Sequence, residues 1–129
     1  MSRPARARID LDALRHNLRY AKGLAGPSRL VAVVKANAYG HGAVAVARAL
    51  AGEVDALGVA CLEEALELRE SGVQSPILLL EGVFSPEELL LVDRNRLALV
   101  VHSLEQLRWI LAARPERPLA CWLKVDTGM

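Results

Sequence analysis

Hydrophobic positions along this chain follow two alternating rhythms. Five short runs are almost continuously apolar: "LVAVVK" from Leu30, "ALGVAC" from Ala56, "PILLLEG" from Pro76, "LALVVHS" from Leu97 and "LACWLKVD" from Leu119. They are rich in Val and Leu, as strands of a parallel sheet covered on both faces are, whereas a half-exposed antiparallel strand alternates. Between them, hydrophobic residues return at helical spacing. Ala43, Val46, Ala47 and Leu50 follow i, i+3, i+4, i+7. Leu62, Ala65, Leu66 and Arg69 begin the same pattern, with the arginine stem long enough to lie on a core.

Helix starts and stops support this division. In "SPEELLLV", Ser85 reads as an N-cap, Pro86 as the first helical residue and Glu88 as the returning half of a capping box. "SLEQLRWIL" repeats the device with Ser103 and Gln106, and places Leu104, Leu107 and Leu111 on one face. An opening helix from Asp12 to about Leu24 carries Leu14, Leu18 and Ala21 and ends toward Gly23 and Gly26. The strand runs begin about 20 to 26 residues apart, within the loop lengths of βα units. The order is therefore a helix, four strand–helix units and a fifth strand, which is α/β with a parallel sheet. Periodicity leaves a doubly wound sheet and a barrel both open. The last segment, "LKVDTGM", follows a strand directly and reads as a sheet stopped short. Such a chain on its own is expected to expose apolar strand faces and an unpaired edge, and to be poorly soluble or partly unfolded.

Composition narrows the function classes. The chain has 129 residues, 53% hydrophobic and 24% charged, which suits one globular domain. Lys plus Arg number 16 against 15 for Asp plus Glu, so no overall field favours nucleic acid or an anionic membrane. "MSRPARAR" is basic but lacks the apolar segment of a signal peptide, and no run is long enough to span a membrane. Cys61 and Cys121 are too few for a disulfide framework and read as small buried hydrophobes with reduced thiols, as in a cytoplasm. No metal site is expected: His16 and His102 have no partners at ligand spacing. The run Glu63, Glu64, Glu67 and Glu70 reads as a solvated helix face, and Trp109 and Trp122 as core or groove-filling aromatics.

The candidate chemistry lies in "VVKANAYGHG", residues 33–42. Lys35 is delivered at the carboxyl end of the first strand, the end where parallel sheets and barrels build their sites. Backed by Val31 and Val33, it would be partly removed from water, which favours the neutral amine needed for Schiff-base chemistry. Tyr39 could offer a hydroxyl to an anion, and Gly40 and Gly42 permit close backbone approach. The residues alone equally allow a solvated lysine before a glycine-rich turn, with His41 in a local hydrogen bond. Neither G-x-G-x-x-G nor a Walker A pattern occurs.

"AVVKANAYGHG" resembles the pyridoxal-phosphate attachment motif of alanine racemases. "RIDLDALRHNL", "EEALELRESGVQSPILLLEG" and "WLKVDTGM" are similar to further segments of that family, in register, so the likeness covers essentially the whole chain. It implies the first five strands of a parallel (β/α)8 TIM-type barrel, incomplete here, from a longer protein whose remaining barrel and C-terminal β domain are absent from this chain. It implies pyridoxal 5'-phosphate as cofactor and interconversion of L-alanine and D-alanine, supplying D-alanine for peptidoglycan in a bacterial cytoplasm. Lys35 would hold the cofactor and serve as one base, Tyr39 would bond its phosphate, and Val33 and Leu80 would lie near it. Lys124 matches a lysine that often carries a carbamate and orients a following arginine. Asp126 and Thr127 would form the turn leading there. The second base would be a tyrosine from a partner subunit, so the complete protein is expected to be a homodimer and this stretch alone to lack a full site. Other readings are a pyridoxal-phosphate-binding barrel without racemase activity, a racemase of another amino acid, and a truncated, non-catalytic chain acting at most through its open strand edge.

Overall fold

The computed structural model describes residues 4–129, so the first three residues of the basic N-terminal stretch lie outside it. The elements are α1 (Leu11–Ala25), β1 (Val31–Val33), a single turn α2 (Lys35–Tyr39), α3 (Ala43–Leu50), β2 (Ala56–Val59) and α4 (Leu62–Glu70). They continue with β3 (Ile77–Leu79), α5 (Glu88–Arg94), β4 (Ala98–Val101), α6 (Leu104–Ala112) and β5 (Cys121–Leu123). The strands lie in the order β1-β2-β3-β4-β5, each parallel to the next. Right-handed crossovers that always step in one direction put every connecting helix on the same face. This is the winding of a βα barrel. A doubly wound sheet reverses direction partway and has helices on both faces.

Register divides the strand residues between two faces. Val33 lies opposite Gly58, Gly58 opposite Leu78, and Leu99 opposite Cys121. Paired residues share a face and successive residues alternate. Leu57, Val59, Ile77, Leu79 and Leu99 accordingly face the helices, where Leu57, Val59, Leu79 and Leu99 are completely buried. They pack with Val46 and Ala47 of α3, Ala65 and Leu68 of α4 and Val92 of α5. Burying one such leucine stabilises the fold by about 1.5–3 kcal/mol. The opposite face carries Val33, Gly58, Leu80 and Trp122, and there Val33 and Trp122 remain exposed.

Several local expectations are corrected. On α4 the fully buried leucine is Leu68, with Leu66 only partly covered. Leu104, Leu107 and Leu111 of α6 are exposed, while Gln106 is buried and Trp109 and Ile110 pack on the core. The helix turns a mixed face inward because Gln106 Nε2 donates to the carbonyls of Glu81 and Val83. Strand β5 is exposed throughout, so Cys121 and Trp122 are not core residues.

The capping boxes are displaced. Ser103 Oγ accepts Gln106 N–H as expected, but Gln106 Oε1 returns to His102 N–H, one residue before the cap. Helix α5 begins at Glu88, after Pro86, and Glu88 Oε2 reaches back to Phe84 N–H. The opening helix has Asp10 as its N-cap, whose Oδ1 accepts the amides of Asp12 and Ala13, each at 3.0 Å.

Charged side chains tie the helices to the ends of the sheet and to one another. Arg69 donates Nε to Asn95 O at 3.0 Å and Nη1 to Val73 O and Ser75 O at 2.9 and 2.8 Å. Arg69 is half-buried, and its head joins the end of α4 to the loop before β3 and the end of α5. Arg69→Ala is expected to cost about 2–4 kcal/mol, since a charged donor leaves three carbonyls. Arg69→Lys should recover less than half of that, because an ammonium cannot reproduce the planar fork. Urea denaturation of both variants checks this, and full recovery by lysine would overturn it. Asp93, buried inside α5, accepts Arg117 Nε at 3.0 Å and Glu116 N–H at 2.9 Å, which anchors the segment entering β5.

Helix α1 is held through Arg15 Nε to Ala49 O and through Arg19 to both oxygens of Glu53, each at 2.8 Å. Its hydrogen bond from Arg19 holds the Glu53 carboxyl below its ordinary value of 4.5. A depressed carboxyl contributes stability that is complete above its unfolded value and disappears as pH falls through its folded one. Helix α1 should therefore loosen first below about pH 4.5. Amide exchange of α1 against that of α4 across this window measures it, and Glu53→Gln should remove the pH dependence.

Candidate functional site

The residues singled out by the sequence gather at the carboxyl ends of the strands. Lys35 opens α2 two residues beyond β1 and is half-buried. Its backbone is fixed from both sides. Val34 N–H donates to Gly58 O at 2.8 Å, bolting the residue before it to β2. Ala36 N–H donates to Glu64 Oε1 at 2.7 Å, bolting the residue after it to α4.

The backbone just after Lys35 takes a course that the sequence did not disclose. Ala36, Asn37, Ala38 and Tyr39 have φ of 51, 53, 52 and 54°, so α2 is a left-handed turn built without glycine. Such a conformation costs about 1–2 kcal/mol for each L-residue and persists only where surrounding bonds determine it. Here Ala38 N–H donates to Val34 O, Gly42 N–H donates to Asn37 O, and Asn37 Oδ1 accepts Ala43 N–H at 2.8 Å. Asn37 thereby supplies the side-chain acceptor at the start of α3 that Gly42 lacks. Its residue type, tolerant of left-handed backbone, was the available signal. His41 Nδ1 lies 2.9 Å from Ala38 O and 3.2 Å from Tyr39 O. Both are acceptors, so this nitrogen carries the proton, and the expected local hydrogen bond is present.

The turn carries Tyr39 outward, leaving it 61% exposed beside Val33, which is 41% exposed. Leu80, just beyond β3, lies over Gly58. A Cβ on Gly58 would stand 3.3 Å from both Leu80 Cδ1 and Val31 Cγ1, so the missing side chain lets these two apolar groups converge across β2. Val31 and Leu80 thus form an apolar floor over Gly58, on the face of the sheet that also carries Val33. Lys124 continues β5, with its N–H donating to Val101 O at 2.9 Å, and is half-buried. It stands at the opposite edge of the sheet from Lys35, four strand spacings of about 4.8 Å along the sheet. Asp126 Oδ1 accepts Gly128 N–H at 2.9 Å, closing the turn the sequence indicated.

The other candidates separate from this cluster. Cys61 precedes the first turn of α4, where a helix N-terminus favours the thiolate, but burial outweighs that and pushes the thiol up. His102 is exposed, with Nε2 3.1 Å from Glu81 O, at the outer edge of the Gln106 network. Among the described residues no group of three or more His, Cys, Asp or Glu side chains could hold a metal ion. Nor is any helix among them long and apolar enough to cross a membrane. Glu64 contradicts its reading as a solvated face residue: it is half-buried, and its Oε2 also accepts Ala60 N–H at 2.8 Å.

A profile of the alanine racemase N-terminal domain matches residues 9–129, nearly the whole chain. The chain belongs to the alanine racemase family. The alanine racemase of Aromatoleum aromaticum is 61% identical over 127 residues, covering 98% of this chain and 36% of that protein. That of Pseudomonas entomophila is 58% identical over 127 residues, covering 98% and 35%. Among solved structures, the biosynthetic alanine racemase of Pseudomonas aeruginosa superposes with a TM-score of 0.86 at 50% identity, covering 94% of this chain and 34% of that one. The chain therefore spans about a third of the length of the alanine racemases it matches. Its five parallel strands, in chain order, are the first five of the family's (β/α)8 barrel.

Proposed function

We propose that residues 1–129 are the N-terminal portion of the barrel of a pyridoxal-phosphate-dependent alanine racemase, and that Lys35 is its cofactor lysine. The observation that carries the reading is the position of Lys35, at the carboxyl end of β1 with both flanking peptides pinned, in a chain of this family. The donor set fits the cofactor. A primary amine suits its aldehyde, an exposed tyrosine hydroxyl suits its phosphate, and an apolar floor suits one face of its ring.

In this reading Lys35 would hold the cofactor through Nζ in the resting enzyme. Released as a free amine when the amino group of alanine takes its place, Nζ would take and return the α-proton on one face of alanine. Tyr39 donates its hydroxyl to a phosphate oxygen. Val33 and Leu80 keep water from the ring. Pyridoxal phosphate, when bound, spreads the charge left at the α-carbon into its ring. Inversion needs a base on the other face as well, which we assign to a partner subunit of a homodimer. Lys124, modified as a carbamate, would orient the arginine that comes after it. The exposed leucines of α6 and the exposed strand β5 are surfaces we infer the remaining barrel covers. The complete enzyme would act in a bacterial cytoplasm and supply D-alanine for peptidoglycan.

The test is to incubate the chain with pyridoxal phosphate, reduce with borohydride and map the labelled peptide by mass, with the absorbance band of the bound cofactor as a second readout. Selective label on Lys35 is the expected result. Equal labelling of the chain's three lysines, Lys22, Lys35 and Lys124, would remove the reading's foundation.

A further inference from the structure

We propose that Glu64 is a positioning residue for Lys35. One oxygen of its carboxylate accepts Ala36 N–H at 2.7 Å and the other accepts Ala60 N–H at 2.8 Å. A single side chain on α4 thus bridges the loop after β1 and the loop after β2.

The bond to Ala36 matters because that N–H belongs to the peptide unit that leaves Lys35. Fixing it fixes ψ of Lys35, and with Val34 N–H held by Gly58 O the Cα–Cβ direction of the lysine is set from both ends. Ala36 is also where the backbone enters the left-handed region, and its N–H faces α4, away from the bonds inside the turn. Without a strong acceptor at that point, the turn could relax toward ordinary backbone and swing both Lys35 and Tyr39. Charge-assisted bonds at these lengths are about twice as strong as neutral ones. Glutamine at this position could satisfy one of the two amides, because its second head-group atom is a donor. Aspartate is a methylene shorter and could not span both loops. Glu63 and Glu67, on the same helix, are exposed, so the inward course of Glu64 is particular to it.

This role rests on the reading of Lys35 as cofactor lysine, and the experiment separates the two. In the unmodified chain, Ala36 and Ala60 amides should exchange with solvent at least about tenfold more slowly than the amides of exposed loops. This measurement needs neither cofactor nor variant. Pyridoxal phosphate labelling with borohydride is then compared between the unmodified chain and Glu64→Gln, with Lys22 as internal reference. The expected result is a fall of about fivefold or more in the Lys35-to-Lys22 ratio, a shifted absorbance band of the bound cofactor, and a melting temperature changed by only a few degrees. Freely exchanging Ala36 in the unmodified chain, or an unchanged ratio in a folded Glu64→Gln, would overturn the role of Glu64. If the unmodified chain shows no preference for Lys35, the cofactor reading fails and exchange at Ala36 alone decides whether Glu64 holds the turn. If Glu64→Gln does not fold, Ala36 exchange in the unmodified chain decides in the same way.

Discussion

Lys35→Ala should abolish the borohydride-fixed cofactor label on the peptide that spans residues 30–48 and leave label on Lys22 and Lys124 unchanged. Lys35→Arg should do the same, because a guanidinium stays protonated and offers no free electron pair to the aldehyde. In the unmodified chain the label on Lys35 should exceed that on exposed Lys22 by about tenfold or more, since a held nucleophile reacts with a large effective concentration advantage. The fold should survive both substitutions. The hydrogen bonds that organise this region are made by the backbone of residues 34, 36 and 38 and by Asn37, Glu64 and His41. Melting curves of both variants provide the control. A variant that retains the label at another residue of the same peptide would mean that the selectivity came from the peptide and not from the amine of Lys35.

Gly82→Ala should be among the most destabilising substitutions in the chain. Gly82 has φ +72°, and a Cβ there would lie 2.3 Å from Val100 O and 2.7 Å from Gln106 Nε2. Neither neighbour can give way. Val100 belongs to β4, and Gln106 Nε2 is committed to the carbonyls of Glu81 and Val83 in a buried network. Strained backbone and steric overlap together are expected to cost about 3–5 kcal/mol, enough to unfold a marginal domain. Gly72→Ala is the matched control. It has φ +83° but open space around its would-be Cβ, so only the conformational cost of about 1 kcal/mol applies. The difference between the two, read from urea midpoints, isolates the close approach. Equal losses would show that the loop between β3 and α5 moves aside without penalty.

Much of this architecture was legible in the sequence because it depends on neighbours in the chain. Each apolar run became a strand, and each i, i+3, i+4 pattern became a helix within a residue or two of its expected bounds. Ala43, Val46, Ala47 and Leu50 are all buried as their spacing required. The place of Lys35 came from the same logic, since a polar residue ending a buried run must emerge at a strand terminus. Where the reading failed, a distant partner had intervened. Leu104, Leu107 and Leu111 form a regular apolar stripe, yet α6 turns Gln106 inward to satisfy carbonyls more than twenty residues away. Within this chain, a polar side chain that meets buried backbone groups outweighs a hydrophobic stripe that finds no surface there, because an unmet buried carbonyl costs as much as a leucine gains.

The sequence by itself determined the strand–helix alternation, the helix-facing core and the delivery of one lysine to the carboxyl end of β1. Local periodicity sets which residues share a face, and the residues that share it need no distant information to do so. Tertiary structure alone decided that the crossovers all step one way and that Ala36 to Tyr39 wind left-handed without glycine. It also decided that Glu64, an ordinary-looking acid on a helix, clamps an amide 28 residues earlier. Left-handed backbone at alanine and tyrosine is unfavourable in isolation, so the one local signal was Asn37, which tolerates it. It exists because bonds from β2, α3 and α4 converge on the same few peptides.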